Sequence, residues 1–407
     1  MGERDIILVT MKVLLLENIH PDAADTFAAA GFEVEKVAAS PARKELAQML
    51  GDVEVLGIRS KTKVTEDLLE HAPRLLSVGA FCIGTEQIDM DACNARGIAV
   101  FNSPYSNTRS VVELAIGEMI MLLRGVEDRS ALLHKGGWSK TAEGSHEIRG
   151  KKLGIIGYGS IGSQLSVLAE ALGMRVYYHD VAEKLSLGNA KKVPLEELLR
   201  ISDIVSIHVD GRGSNRDFIG EREFDMMKDG VIFLNLSRGY VVDVEALAGN
   251  LRKGKIRGAA VDVFPEEPRS NKDQFVSPLQ GIRNVILTPH IGGSTEEAQQ
   301  NIGVFVASRI LRYIDSGTTS SSVNFPVLQT PSTRERHRFA HLHENIPGML
   351  AKINDLFAQH GVNIVGQHLQ TRGNLGYAVI DVGEGCDPSI VEHIAKIPHT
   401  IRARVVF

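Results

Sequence analysis

Cysteine is scarce: Cys82, Cys93 and Cys386 are the three in 407 residues, too few and too scattered for a disulfide framework, and none sits in a C-x-x-C pair. A reducing compartment is the expectation. Zinc spacing is missing too, because none of the fourteen histidines forms an H-x-x-x-H pair joined to acidic ligands, so no metal is expected. There is no excess of positive charge. Lys plus Arg number 45 against 50 Asp plus Glu, a net charge of -5, which gives no general cationic field for a polyanion and disfavours bulk nucleic-acid binding. No run reaches the roughly 18 apolar residues of a membrane helix. Met1 to Lys12 carries Glu3, Arg4 and Asp5 before a short apolar run broken by Thr10, which is not the layout of a signal peptide, and a cytoplasmic location is expected. What remains is ordinary globular composition, 43% hydrophobic and 23% charged with 39 Gly and 14 Pro, and a length that implies two to three domains, each able to bury a core.

From Lys12 to about Pro104 short β-branched runs alternate with amphipathic stretches. VLLLENI, VEVLGI, LLSVGAF and IAVFN read as buried strands, and DAADTFAAAG, ARKELAQMLG, TEDLLEHA and DMDACNARG as helices between them. Such alternation predicts a parallel sheet covered on both faces. NTRSVVELAIGEMIMLLRG reads as one long helix with Ser106 or Asn107 as its cap. A second series begins at Lys151: KLGIIGYG, MRVYYHD, IVSIHV, GVIFLNLS, GAAVDVF and NVILTPH are strands, with SQLSVLAEALG, PLEELLRIS and VEALAGNLRKG helical, which predicts a second doubly wound sheet. A helix over roughly Thr295 to Ser316 has no strand partner left in that sheet and is expected to pack on the first domain; SGTTSSS after it reads as a linker. The tail changes rhythm. RFAHLH, GMLAKINDLFAQHG, NIVGQHLQT, GYAVIDV, SIVEHIAKI and IRARVVF follow the order βαββαβ of a ferredoxin-like module, read as a separate domain with a small core of its own. The expected division is 1–106 with 295–332, then 107–294, then 336–407.

The strongest local signal is Gly157-Tyr158-Gly159-Ser160-Ile161-Gly162, directly after the strand LGII and before a helix, with Asp180 at the end of the next strand. In that context the glycines let the backbone approach a pyrophosphate at a helix N-terminus, and Asp180 can accept from a ribose 2'-hydroxyl. Asp180 would repel a 2'-phosphate, and Val181 and Ala182 offer no cation, so NAD is favoured over NADP. Arg238, Glu267 and His290 fall at later strand ends of the same sheet, where open α/β sheets bind ligands. Singly, each is a common surface or structural residue; their joint occurrence along one sheet edge is what points to chemistry.

GIIGYGSIG, LNLSRG, AVDVFPEEP and LTPHIGGST together resemble the D-isomer-specific 2-hydroxyacid dehydrogenases, across nearly the whole chain. FCIGTEQID, SPYSNTRSV, GWSK, SSVNFP, HENIPGML and GVNI extend the likeness to members that act on 3-phospho-D-glycerate and carry a C-terminal ACT domain. The resemblance implies a flavodoxin-like substrate domain, a Rossmann cofactor domain and NAD-dependent oxidation of 3-phosphoglycerate to 3-phosphohydroxypyruvate, the first step of L-serine synthesis. It implies His290 as acid/base, Glu267 as its partner and Arg238 as the holder of the substrate carboxylate, with His208 and Asp262 as further cofactor contacts. The chemistry suits those types: imidazole titrates near neutrality, a neighbouring carboxylate orients it, and a guanidinium fork binds a carboxylate in two places. By the same likeness Arg59, Ser60 and Lys61 meet the substrate phosphate, Asn107 contacts substrate, and Lys140, after Trp138, reaches a neighbouring subunit of a homotetramer. His343, Asn345 and Asn363 match positions that hold L-serine between paired ACT domains, where buried Asn side chains can pair with ammonium and carboxylate. Two departures stand out: Asp210 follows His208-Val209 where Pro is common, and Leu236 stands where a small residue is usual. Other expectations compatible with the chain are a different D-2-hydroxyacid dehydrogenase, 2-oxoglutarate reduction, or a corepressor-like nucleotide sensor.

Overall fold

The buried runs become strands. In the computed structural model, which describes residues 10–268, 272–331, 337–383 and 386–406, β1 (Lys12–Leu15), β2 (Glu33–Lys36), β3 (Val53–Ile58), β4 (Ser77–Ala80) and β5 (Ala99–Asn102) form a parallel sheet in the order β2-β1-β3-β4-β5. This is the flavodoxin-like winding. Strand β2, EVEK, lies at the sheet edge and buries none of its residues, so apolar patterning did not reveal it. The helix Pro21–Ala29 begins with proline in its first turn, and Met90–Ala95 is capped by Asp89, whose carboxylate accepts from the Ala92 N–H at 2.9 Å.

The second sheet contains β6 (Lys152–Ile156), β7 (Arg175–His179), the two-residue β8 (Lys191–Lys192), β9 (Ile204–Ile207), β10 (Val231–Asn235), β11 (Ile256–Val261) and β12 (Val285–Leu287). Its order, β12-β11-β10-β9-β6-β7-β8, reverses between β6 and β9, which puts a ligand-binding crevice outside the carboxyl ends of those strands. The long helix runs Thr108–Arg124 and stops at Gly125, which is left-handed (φ 57). Asn107 occupies the cap position, yet its side chain makes no capping bond and its Oδ1 is buried without a partner. The expected cap is therefore positional only.

The tail has the expected βαββαβ order: β13 (His337–Glu344), helix Met349–Gln359, β14 (Ile364–Arg372), β15 (Leu375–Val382), helix Ile390–Ala395 and β16 (Thr400–Val405), an antiparallel sheet ordered β14-β15-β13-β16. The ends of the expected domains at 332, 336 and 407 lie outside the described residues.

The chain divides into two compact units, Met1–Pro104 with Gln299–Phe407, and Tyr105–Ala298. The helix Glu296–Ser316 belongs largely to the first unit, where Ile302, Val306 and Ile310 pack with Val13, Val55 and Phe101. The tail module belongs to that unit as well. One face of its sheet closes a core of its own with Phe357, Ile353 and Ile394, but Ala340, Leu342, Tyr377 and Val379 on the other face join the core under the first sheet. Arg338, fully buried, forks onto Asp381 at 2.6 and 2.8 Å and donates to the Ser316 carbonyl at the end of the helix Glu296–Ser316. The supposed linker is not solvated. Thr318, Thr319 and Ser322 are buried, Thr319 and Ser322 donate to the Pro326 and Val100 carbonyls, and Asn324 just beyond bonds to the backbone of Ile98 and of Val100 in β5, so the polar composition serves an internal hydrogen-bond network.

Candidate active site

His290 follows β12 in a left-handed conformation (φ 55), an uncommon geometry for a non-glycine residue. Its N–H donates to the Asp262 carbonyl at 2.8 Å, while the Asp262 carboxylate accepts from Thr288 Oγ1, Ile291 N–H and Gly292 N–H at 2.6 to 2.8 Å. Asp262 thus clamps both sides of the turn that presents the imidazole. Nδ1 of His290 lies 3.1 and 3.0 Å from the two oxygens of Glu267. Hydrogen bonding to Glu267 raises the imidazole above its ordinary pKa, against the opposing pull of burial. Burial by itself would raise Glu267, but its bond and charge contact with His290, the Phe264 N–H and the Arg238 charge outweigh it, and the carboxyl stays below the usual range. The pair therefore favours imidazolium and carboxylate together. A cavity of about 490 Å³ opens beside it, lined by Phe264, Phe275, Leu287 and Thr288.

Arg238 follows β10 at the same sheet edge, and its charge acts on both Glu267 and His290. The next residue explains the local sequence: a Cβ on Gly239 would lie 1.9 Å from the Phe264 carbonyl carbon, so only glycine lets the Arg238 corner pass the strand that leads to Glu267. Asn107 reaches the His290 turn, since a Cβ on Gly293 would fall 2.1 Å from its Nδ2.

The glycine-rich loop has the shape the motif implies. Gly157 is left-handed (φ 92), with a Cβ position 2.6 Å from the His208 carbonyl oxygen; a Cβ on Gly162 would lie 2.2 Å from the Gly157 oxygen; Gly159 faces open space. No side chain caps the helix Ser160–Ala171, which leaves the N–H groups of Ser160, Ile161 and Gly162 at the positive end of its dipole for an anion. Tyr158 contributes backbone only: its ring is buried, stacked on Tyr178 at 3.8 Å. Asp180 closes the loop by accepting from the Tyr158 and Ala182 N–H groups, both at 2.8 Å, and each oxygen keeps a lone pair for a ribose hydroxyl. A dinucleotide fits these residues. His208 is held near neutral charge, pushed down to about 4 by burial, with Nε2 2.8 Å from Ser206 Oγ. The departures are local. Asp210 is forked by Arg212 at 2.7 and 2.5 Å, and Leu236 is buried with Leu234 and Tyr158.

Among the other expected residues, Arg59, Ser60 and Lys61 form the turn after β3, pinned by Gln87 Nε2 on the Arg59 carbonyl at 2.6 Å. Lys140 is exposed and lines a different cavity with Trp138, Leu132 and Arg129. His343 is buried and stacked on His341 at 4.9 Å, whereas Asn345 and Asn363 are exposed, contrary to the expectation of buried amides. Register explains why. His343 pairs with Gly376 at one end of β15, and Asn363 precedes Ile364, which pairs with Val382 at the other end, so one module does not bring the three together.

Sequence reasoning missed two carboxyls. Glu17 bonds to the turn after β3 through Lys61 N–H (2.9 Å) and Thr62 N–H (2.7 Å). Glu118, on the long helix, is buried with both oxygens unpartnered; burial, then the charge of Asp262, pushes its pKa up to about 8, so it is neutral at pH 7. No sequence signal separates either from an ordinary surface glutamate.

Residues 116–292 match the family described as D-isomer specific 2-hydroxyacid dehydrogenase, NAD binding domain, and residues 339–402 match the AHAS small subunit-like ACT domain. The D-3-phosphoglycerate dehydrogenase of Haemophilus influenzae is 49% identical over 399 residues, covering 98% of this chain and 97% of that protein. The enzyme of the same name from Escherichia coli K12 is 49% identical over 401 residues, covering 98% of each. Among solved structures, the D-lactate dehydrogenase of Aquifex aeolicus complexed with NAD and lactic acid superposes with a TM-score of 0.66 at 26% identity, over 79% of this chain and all of that one.

Proposed function

The chain belongs to the D-isomer-specific 2-hydroxyacid dehydrogenases, within the group of D-3-phosphoglycerate dehydrogenases, and from that premise we propose that it oxidises 3-phospho-D-glycerate to 3-phosphohydroxypyruvate, opening L-serine synthesis. The observation that carries this reading is the two-point contact of Glu267 with His290 on the sheet edge that also bears Arg238. With Nδ1 tied to Glu267, Nε2 of His290 takes the proton of the C2 hydroxyl, and the carboxylate stabilises the imidazolium that results. Arg238 holds the substrate carboxylate and draws charge from the C2 oxygen as it becomes a carbonyl. NAD, when bound on Gly157 to Gly162 with its ribose at Asp180, supplies the hydride acceptor. Asp262 keeps the His290 turn in place. Arg59, Ser60 and Lys61 meet the phosphate, and Asn107 and Lys140 are further substrate contacts, Lys140 toward a neighbouring subunit.

L-Serine is the proposed effector and a homotetramer the proposed assembly. His343 and Asn345 stand roughly seven strand residues, or about 23 Å, from Asn363 along the sheet, so a ligand touching all three requires a second module laid alongside in the opposite direction. The test is NAD reduction with 3-phosphoglycerate, with and without serine, on the parent and Lys61→Ala. Lys61→Ala is expected to raise KM for 3-phosphoglycerate while sparing an unphosphorylated 2-hydroxy acid; equal loss on both substrates refutes phosphate recognition there. Unchanged turnover at saturating serine removes the effector. No described helix is long and apolar enough to cross a membrane.

A further inference from the structure

Glu17 lies two residues past the end of β1 with its side chain turned inward, 8% exposed, and it and Asn18 are consecutive non-glycine residues in the left-handed region (φ 61 and 52). Strain of this kind persists only where surrounding contacts hold it, and here they are visible: Oε2 accepts the Lys61 N–H at 2.9 Å, Oε1 accepts the Thr62 N–H at 2.7 Å, and the Glu17 N–H donates to the Ala39 carbonyl at 3.2 Å. Thr62 is held a second time by Ser40, hydroxyl to hydroxyl at 2.8 Å. The turn that displays Arg59, Ser60 and Lys61 is thereby fastened to the turn after β1 by a buried carboxylate.

We propose that Glu17 is a positioning residue for phosphate recognition: it fixes the backbone of the turn after β3 so that Arg59 and Lys61 present their cations in one geometry. The inference rests on the reading of that turn as the phosphate contact. Two consequences of the carboxylate oppose each other. It consumes the N–H groups of Lys61 and Thr62, which leaves the phosphate to the side chains, and its negative charge stands behind an anion site and weakens attraction. It also removes the freedom of a turn bearing two long, rotamer-rich cations, whose ordering would otherwise oppose each binding event. Orientation wins, because the charge is already spent on two backbone donors at short range.

The test uses the full-length enzyme in the reductive direction, with 3-phosphohydroxypyruvate and, as the same acceptor without its phosphate, hydroxypyruvate. Glu17→Gly relieves the left-handed backbone and deletes both bonds; Glu17→Gln keeps size and one acceptor, and serves if the glycine variant fails to fold. About a tenfold rise in KM for the phosphorylated acceptor is expected in Glu17→Gly and about threefold in Glu17→Gln, with kcat within about twofold. KM for hydroxypyruvate and the melting temperature with NADH are expected to stay near the parent values, and Glu17→Asp, too short to reach both amides, is expected not to rescue. A KM that falls in Glu17→Gln shows that charge outweighs orientation and overturns the proposal, as does an equal rise for both acceptors. Lys61→Ala is measured alongside. If it separates the two acceptors and the Glu17 variants do not, this inference fails alone; if Lys61→Ala does not separate them, the phosphate reading fails and takes the inference with it.

Discussion

At the carboxyl end of β6 the chain turns through Gly157, Tyr158 and Gly159, and at the carboxyl end of β3 through Arg59, Ser60 and Lys61. The first turn strips side chains away and leaves backbone N–H groups open at a helix start; the second displays charged side chains and has its backbone held from behind. The devices differ accordingly. Left-handed geometry in the second unit's loop is given to glycine, where it costs nothing, with Gly157 at φ 92. In the first unit it is given to Glu17 and Asn18, at roughly 1–2 kcal/mol per residue, offset by charge-assisted bonds. Open backbone goes with small residues, displayed cations with a brace.

The comparison can be broken from the chemical end first. His290→Gln is expected to lower kcat about 10²–10⁴-fold while leaving NADH binding, followed by fluorescence titration, as in the parent; a loss of NADH binding would show that His290 serves the loop instead. Next in size, Gly162→Ala sets a methyl 2.2 Å from the Gly157 carbonyl oxygen, a backbone atom that cannot swing aside as the nearby Ile155 side chain could. KM for NAD is expected to rise about 10- to 100-fold, against about twofold or less for KM of the phosphorylated substrate in Ser60→Ala, where only a hydroxyl is lost. Similar effects at the two turns would erase the distinction between them.

A third variant sharpens the catalytic pair. Glu267 raises the pKa of His290, and oxidation needs the neutral imidazole, so the acidic limb of kcat/KM for oxidation falls as pH drops through that raised value. Glu267→Gln is expected to move the limb to lower pH, because the neutral amide no longer favours imidazolium, and to cut kcat about tenfold through loss of orientation. A limb that stays in place assigns it to another group. The smallest effect concerns the first unit's histidines. Burial pushes His341 down to about 3 and also lowers His343, so both are neutral in the fold and protonate more readily when unfolded. Stability from such groups is present above the unfolded pKa near 6.5 and is lost as pH falls below it, by up to about 1.4 kcal/mol per pH unit per histidine. Melting at pH 7.5 and 5.5 is expected to show this loss, and His341→Gln to reduce it.

Periodicity made much of this architecture legible. KLGIIGYG, GVIFLNLS and GAAVDVF stand as buried parallel strands because a sheet covered on both faces needs continuous apolar runs. Edge strands β2 and β8 escaped, since an edge tolerates EVEK and KK. That Arg238, Glu267 and His290 follow strands of one sheet was legible in the sequence, and the structure adds the contact between Glu267 and His290. The brace residues were not legible: Glu17 and Asp262 as a clamp owe their places to backbone geometry that no local pattern encodes, and the burial of Glu118 leaves no mark in the sequence either. SGTTSSS misled for the same reason, because Thr319 and Ser322 satisfy internal backbone groups with the polarity that elsewhere marks a solvated tether.

The helix Glu296–Ser316 is roofed by the first sheet's apolar side chains and, near its end, by Tyr377 and Val379 of the tail module, with Arg338 grasping its last carbonyl. Amputating the tail would therefore not release a tidy catalytic remnant; it would bare the greasy flank of Tyr313 and Ile314 to water and strand several carbonyls that Arg338, Arg402 and Arg404 now serve. Grafting a foreign module onto this body would demand a matching flank and three matching guanidinium anchors, so the tail and its platform are constrained to change in concert.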